Sequence, residues 1–244
     1  MKRLLLIIDP QNDFVDSKGS LYVPDAEKAV EAIAEYIKSN GKNLDDIAIT
    51  QDTHHRYHIA HPAYWNSHPA AFSKVSVEDY KAGKIWPVLY PPTIDKPVDP
   101  FTLRYLESLQ GPLTIWPEHC LLGSWGWAFP DSLVNAVHDW ETKITPQHFA
   151  KIYQKGYIAN FEAFSLFTKS GDLDYRPYAN LDVFSEYDEI IVCGFAKDIC
   201  VANTVKDMID SGLYEGKIVM FEAGMASIDK NSPMNEVFAG LRTV

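Results

Sequence analysis

Cysteine is scarce. The 244 residues hold three, Cys120, Cys193 and Cys200, and no CxxC pair. So low and odd a count is a poor disulfide framework, fits a reducing compartment, and argues against an all-cysteine zinc site. Basic blocks are missing too. Lys and Arg number 22 against 33 Asp and Glu, a net charge of -11, which argues against a general nucleic-acid surface. Long apolar runs are absent as well. "MKRLLLIIDPQNDF" imitates the start of a signal peptide, but its run from Leu4 to Ile8 is shorter than the ~7–15 residues such a segment needs. Nothing approaches the ~18–20 apolar residues that span a membrane. These absences predict a cytoplasmic protein with neither a membrane nor a nucleic-acid partner.

What is present suits a sizeable core, since 46% of the residues are hydrophobic, and the length suits one domain over 1–244. "RLLLII" reads as a buried parallel strand. "DAEKAVEAIAEYIKSN" follows with apolar residues at helical spacing and Asp25 as its N-cap. "DDIAITQD" is a second strand, which completes a βαβ unit. "HFAKIYQKG", "EIIVCGFA" and "KIVMFEAG" read as further strands. "DICVANTVKDMIDSGL" reads as a helix with Val201, Val205 and Ile209 on one face, and "SPMNEVFAGLR" as a closing helix. A further short edge strand is expected where the chain stops, at Val244. The prediction is an α/β fold: a mainly parallel sheet of about six strands in three α-β-α layers. A large loop insertion at about 61–116 interrupts it, with "SVEDYKAG" and "DPFTLRYLESLQG" as short helices. Loops that long in compact domains are often functional.

In open α/β sheets, ligands bind beyond the carboxyl ends of the strands. Those ends carry Asp9, then Asp52 with His54, then Lys155, then Cys200. A carboxylate directly after a buried strand is poorly solvated, so its pKa should rise, which suits a general acid/base. Alternatively Asp9 caps the next turn, and Asp13 is its partner or a loop cap. Lys155 either lowers a thiol pKa or is an ordinary surface lysine. Cys200 opens a helix, where free N–H groups favour a thiolate; the bland alternative is a small core residue, which is how Cys193 reads. "QDTHHRYHIAHPAYW" carries His54, His55, His58 and His61 beside Asp52, the composition of a divalent-metal site or of a solvated loop. His119 would supply a ligand from a distant loop.

"IIDPQNDF", "TQDTHHRYH", "IWPEHC", "YQKG" and "GFAKDICV" occur in an order that resembles the nicotinamidase branch of the isochorismatase-like cysteine hydrolases. The resemblance implies that fold and a hydrolase acting on an amide C–N bond. It implies Asp9, Lys155 and Cys200 as the catalytic triad, with a cis peptide before Ala196 and an oxyanion hole made by the Ala196 and Cys200 N–H groups. It implies one divalent metal ion, Zn, Fe or Mn, on Asp52, His54 and His119, with His58 a ligand in some members. Phe14, Trp116 and Phe164 would wall the substrate pocket. The expected reaction is nicotinamide hydrolysis to nicotinate and ammonia, a step of NAD salvage, by a homo-oligomer. The chain departs from the pattern at Thr53, usually tryptophan, at "HIAH", usually "HISF", and at Phe164, often tyrosine. These alter the pocket wall and keep open a related cysteine amidase for another small amide or ureido compound. A metal-bound hydroxide as the attacking group, and a non-catalytic metal-binding scaffold, are the remaining alternatives.

Overall fold

A computed structural model describes residues 1–94, 98–109, 111–144, 149–167 and 179–244. Residues 95–97 of the proline-rich stretch, Gln110 at the end of the second short helix, and His148, where the fifth strand was expected to begin, lie outside the description. Among the described residues, eight strands and six α-helices follow in the order β1 (Arg3–Ile8), α1 (Asn12–Val15), α2 (Ala26–Asn40), β2 (Asp46–Asp52), β3 (Lys74–Val75), α3 (Val77–Lys81), α4 (Pro100–Ser108), β4 (Leu113–Thr114), α5 (Asp131–Ile144), β5 (Lys151–Lys155), β6 (Glu189–Gly194), α6 (Ala202–Ser211), β7 (Ile218–Met225) and β8 (Arg242–Thr243). Six of the strands form one sheet in the order β5-β2-β1-β6-β7-β8, with every pairing parallel. Helices flank this sheet, with α2 packed on α5 and on β7. No helix among the described residues is long and apolar enough to cross a membrane.

β1 lies at the centre, and Leu4 to Ile8 are buried on both faces, so the strand reads as an unbroken apolar run. β5 is an edge strand and its burial is the reverse. Lys151, Ile152 and Gln154 are exposed, and the one fully buried residue is Lys155. Lysine is almost never buried without a charged partner, so this position points to a site.

Four expectations need correction. Asp25 does not cap α2: it takes a left-handed backbone, makes no side-chain cap bond, and its carboxylate pairs with Lys28 and Lys230 instead. Ile209 is exposed, and Met208 joins Val201 and Val205 in the core, because successive i+4 steps drift about 40° around a helix and a step of three brings the stripe back. The closing helix is only a tight 3-10 turn, Pro233–Phe238, after which the short edge strand β8 follows. The 61–116 insertion is more than a loop. β3 and β4 form an antiparallel ribbon, and Tyr64, Trp65, Val75, Tyr80, Tyr105, Leu113 and Ile115 build a second hydrophobic cluster that also takes in Phe161 and Ala163.

Candidate active site

The ends of β1, β2 and β5 and the turn after β6 meet at one rim of the sheet. β1 and β6 are paired to their last residues, Ile8 and Gly194, and β2 and β5 to Asp52 and Lys155. That register carries Asp9, Asp52, Lys155 and Cys200 into contact. All four are buried.

Lys155 is the hub. Its Nζ lies 2.8 Å from Asp9 Oδ2, 3.2 Å from Asp52 Oδ1 and 3.7 Å from Cys200 Sγ, and it donates to the Ala163 carbonyl at 3.2 Å. Burial disfavours its charge, but Asp52, Asp9 and Cys200 together raise its pKa well above the ordinary value. Asp9 is fixed by Thr50, whose hydroxyl donates to Oδ1 at 2.6 Å. Burial raises the Asp9 pKa, as expected of a strand-end carboxylate, against the opposing pull of Lys155.

Cys200 departs from the expectation of a readily formed thiolate. It lies in a wide π-helical turn, Lys197–Val201, that precedes α6, in which the Val201 N–H bonds the Ala196 carbonyl. Burial pushes its thiol pKa well up; Lys155 opposes this, and the neighbouring Asp9 and Asp52 charges add to it. The resting sulfur therefore keeps its proton, with a carboxylate and an ammonium beside it. The Phe195–Ala196 peptide is cis, as the resemblance implies. Cys193 is buried inside β6, in line with its reading as a core residue.

Asp52 is clamped through its backbone. Gln11 donates from Nε2 to the Asp52 carbonyl at 2.6 Å and accepts the Asp52 N–H at 2.7 Å. Just beyond, the 119–122 segment runs parallel to the end of β2: the His54 N–H donates to the Cys120 carbonyl, and the Leu122 N–H to that of His54. Asp13 ties this segment down by accepting the Cys120 N–H at 2.7 Å, so its role is the loop cap. His54 and His119 then converge on Asp52. Their Nε2 atoms lie 2.9 and 3.4 Å from Asp52 Oδ2. Their Nδ1 atoms face the carbonyls of Gly156 at 2.9 Å and Pro117 at 2.8 Å. A carbonyl only accepts, so each ring carries a hydrogen on Nδ1, which leaves Nε2 as the nitrogen that an ion beside Asp52 would take in place of a proton. This is the orientation a metal-binding imidazole needs.

The donor set fits a divalent cation. Burial would raise Asp52, but His54, Lys155 and the hydrogen bonds of His119 and His54 hold it well below the ordinary carboxylate range. Burial likewise opposes a charge on His54, yet Asp52 and Glu162 raise it to about 9. The site draws positive charge to itself.

Further imidazoles surround these three. The His58 ring lies 4.2 Å from that of His54, but its Nε2 donates to the Phe161 carbonyl and its Nδ1 accepts the Ala60 N–H, so both nitrogens are engaged within the protein. His61 is buried between His54 and His119; burial and those two neighbours lower its pKa to about 2. Glu162 was not singled out in the sequence. Its Oε1 accepts the Ala163 N–H, while buried Oε2 has no hydrogen-bond partner among the described residues and lies 3.8 Å from His58 Nδ1. Among the described residues, two groups offer ligand atoms close enough for one ion: His54, His61 and His119, and His54, His58 and Glu162. His55 is exposed and stands apart.

An apolar pocket opens over Cys200. Phe14, Trp116 and Phe164 line it with Leu21, Ile199 and Ile228, and Asp52, His119 and Glu162 give it one polar side. Phe14 meets His119 edge-on at 5.5 Å. At Thr53, the Trp127 indole donates to the threonine hydroxyl at 3.0 Å, so an aromatic ring still covers this point.

Gly156 is where Asp52 and His54 depend on a missing side chain. Its φ is +79°, and a Cβ there would lie 2.5 Å from Asp52 Oδ1 and 2.8 Å from His54 Cε1. Gly156→Ala is expected to cost about 1–3 kcal/mol in urea unfolding, through the backbone alone, and more if the clash is not relieved. It should also weaken retention of a divalent ion.

No protein-family model matches the chain. The curated nicotinamidase of Escherichia coli is 28% identical over 213 residues, 86% of this chain and 78% of its own length. That of Saccharomyces cerevisiae is 24% identical over 210 residues, 86% of this chain and 82% of its own. The chain is thus similar to curated nicotinamidases over most of its length, which supports the nicotinamidase branch of the isochorismatase-like cysteine hydrolases. Solved structures of the branch share the fold. A yeast nicotinamidase superposes with a TM-score of 0.69 at 20% identity, covering 99% of each chain. A Pyrococcus horikoshii pyrazinamidase in complex with zinc superposes at 0.58 and 18% identity, covering 100% of this chain and 99% of its own.

Proposed function

We propose that the protein hydrolyses nicotinamide to nicotinate and ammonia through a thioester on Cys200. The observation that carries this reading is the buried contact of Lys155 with Asp9, Asp52 and Cys200, an acid/base, a cation and a thiol within hydrogen-bonding reach of one another. The curated relatives of the branch are named for this activity.

The flat ring of the substrate enters between Phe14 and Trp116, whose faces and edges suit a heteroaromatic ring, with Phe164 closing the wall. Asp52, His54 and His119 would hold one divalent ion, which when bound supplies Lewis acidity towards the ring nitrogen. Zinc is the ion we favour, because imidazole and carboxylate suit it and a structural neighbour is a zinc complex.

Asp9 takes the thiol proton of Cys200. Lys155 stays protonated and stabilises the thiolate, which compensates for the high resting pKa. The sulfur attacks the amide carbon, and the Ala196 and Cys200 N–H groups receive the oxyanion. Asp9 then gives its proton to the leaving nitrogen, and ammonia departs. Asp9 next takes a proton from water, whose oxygen attacks the thioester. The sulfur leaves as thiolate and recovers its proton from Asp9, so the site is restored with one water consumed.

With this reading go a single domain whose 61–116 insertion supplies Trp116 to the pocket, a cytoplasmic setting that keeps the cysteines as thiols, and assembly as a homo-oligomer. The test is ammonia release from nicotinamide, with and without a strong chelator. Release is expected, with a fall of about tenfold or more on chelation and recovery on adding back a divalent ion. No release from nicotinamide, with release from another small amide, would move the protein to a different substrate.

A further inference from the structure

Among the four buried imidazoles, His61 lies at the place where the chain reads "HIAH" rather than "HISF". Its ring packs edge-on against His119 at 5.2 Å and 69°, and against His54 at 5.0 Å and 75°. Its Nε2 is 3.3 Å from His119 Nδ1. His119 Nδ1 must carry a hydrogen, because it also faces the Pro117 carbonyl at 2.8 Å. The Nε2 of His61 is therefore an acceptor, and the one N–H of His119 is shared between a carbonyl and an imidazole lone pair. The hydrogen of His61 then sits on Nδ1, which is buried and finds only a poorly aligned partner in the Arg56 backbone. A buried donor left in that state costs stability, so the ring is poorly explained as packing. A phenylalanine would fill the space and leave no donor poorly satisfied.

We propose that His61 is a positioning residue for the metal site. It acts through His119, not on the ion. By taking half of the His119 N–H, it helps hold the tautomer and ring plane that keep His119 Nε2 beside Asp52 Oδ2, where one ion would meet both. Outer partners of metal-binding histidines work in this way, and their loss typically weakens metal affinity about 10–100-fold. The backbone holds the ring in place: the His61 N–H donates to the His58 carbonyl, and the His61 carbonyl accepts the Tyr64 N–H. A side-chain acceptor has thus been added behind one ligand in a sequence segment that already carries two other histidines of the cluster.

The inference rests on His119 being a ligand, as in the proposed function. The experiment challenges the zinc-loaded enzyme and its His61→Phe and His61→Gln variants with graded chelator, and follows the absorption spectrum of each after exchange to cobalt(II). Glutamine can place an acceptor near the position of Nε2, whereas phenylalanine cannot. The expected result is a 10–100-fold loss of affinity and a shifted cobalt spectrum in His61→Phe, substantial recovery in His61→Gln, and a thermal midpoint of metal-free His61→Phe no lower than that of the metal-free parent. Equal affinity in the parent and His61→Phe would overturn the role of His61 alone. So would equal losses in both variants, which would show that the acceptor is not what matters. A parent enzyme that binds no divalent ion would overturn the metal site and, with it, this inference.

Discussion

Cys200→Ala is expected to lose nicotinamide turnover by about 10⁵-fold or more, the scale on which loss of the nucleophile acts in covalent hydrolases. Nothing else in the pocket can replace the sulfur, because the other two thiols are committed elsewhere. Cys193 lies inside β6 with its Sγ 3.9 Å from the Leu6 carbonyl, and Cys120 belongs to the segment that Asp13 ties down. Cys193→Ala is the control and should stay within a few-fold of the parent. The folded state should tolerate Cys200→Ala, since the thiol contributes no charge at rest: burial keeps it protonated. Activity and stability are thus expected to separate, and parallel steady-state kinetics and urea unfolding of the two variants check this.

Lys155→Met should do the opposite and damage both. Without the ammonium, Asp9 and Asp52 lose the cation that each touches, within a region closed to solvent. Removing one member of a buried ion pair costs about 3–5 kcal/mol, because the remaining charge is left without compensation. Against a total stability of about 5–15 kcal/mol, that is a large share. Adding Asp9→Asn should recover part of the loss, since it removes one of the stranded charges. A double-mutant cycle by urea unfolding should show coupling of about 0.5–3 kcal/mol between positions 9 and 155. A Lys155→Met protein as stable as the parent would mean that Asp9 and Asp52 do not depend on the lysine as the distances indicate.

The core of this site was legible in the sequence for a geometric reason. Asp9, Asp52 and Lys155 each end a strand, Cys200 follows one closely, and a parallel sheet brings its strand ends to one rim, so a linear reading already predicts their neighbourhood. Lys155 in particular follows a short strand-like run. What the sequence did not disclose was that it is the buried residue of an otherwise exposed edge strand. Glu162 was not legible, because it sits in "NFEAFSLF" with no neighbouring ligand. It reaches the cluster only because Phe161 and Ala163, on either side of it, pack into the second hydrophobic cluster formed by the insertion. Gln11 is not legible for a related reason: its work is on the backbone of Asp52, and no motif marks such a clamp. His61 was visible as one histidine of four, but its place behind His119 depends on the 119–122 segment lying alongside the end of β2. The high thiol pKa of Cys200 also lay beyond the sequence. A helix start suggests a thiolate, and only the packing shows that the sulfur is buried beside two carboxylates.

These points give the insertion a physical role. It folds around its own apolar cluster, carries Trp116 to the pocket, and fixes the segment from which the Ala163 carbonyl reaches Lys155. The rim that carries Lys155 and the pocket wall are therefore built by two different parts of the chain that share the 158–163 segment.

The central claim is that Cys200 carries the acyl group of nicotinamide between the two halves of the reaction. The most direct measurement is mass spectrometry of enzyme acid-quenched during steady-state turnover, followed by mapping of the modified peptide. The account predicts one nicotinoyl group in place of the thiol hydrogen of Cys200, and none in Cys200→Ala. Nicotinate formed at the parental rate by Cys200→Ala, or by enzyme alkylated at that sulfur, would contradict it.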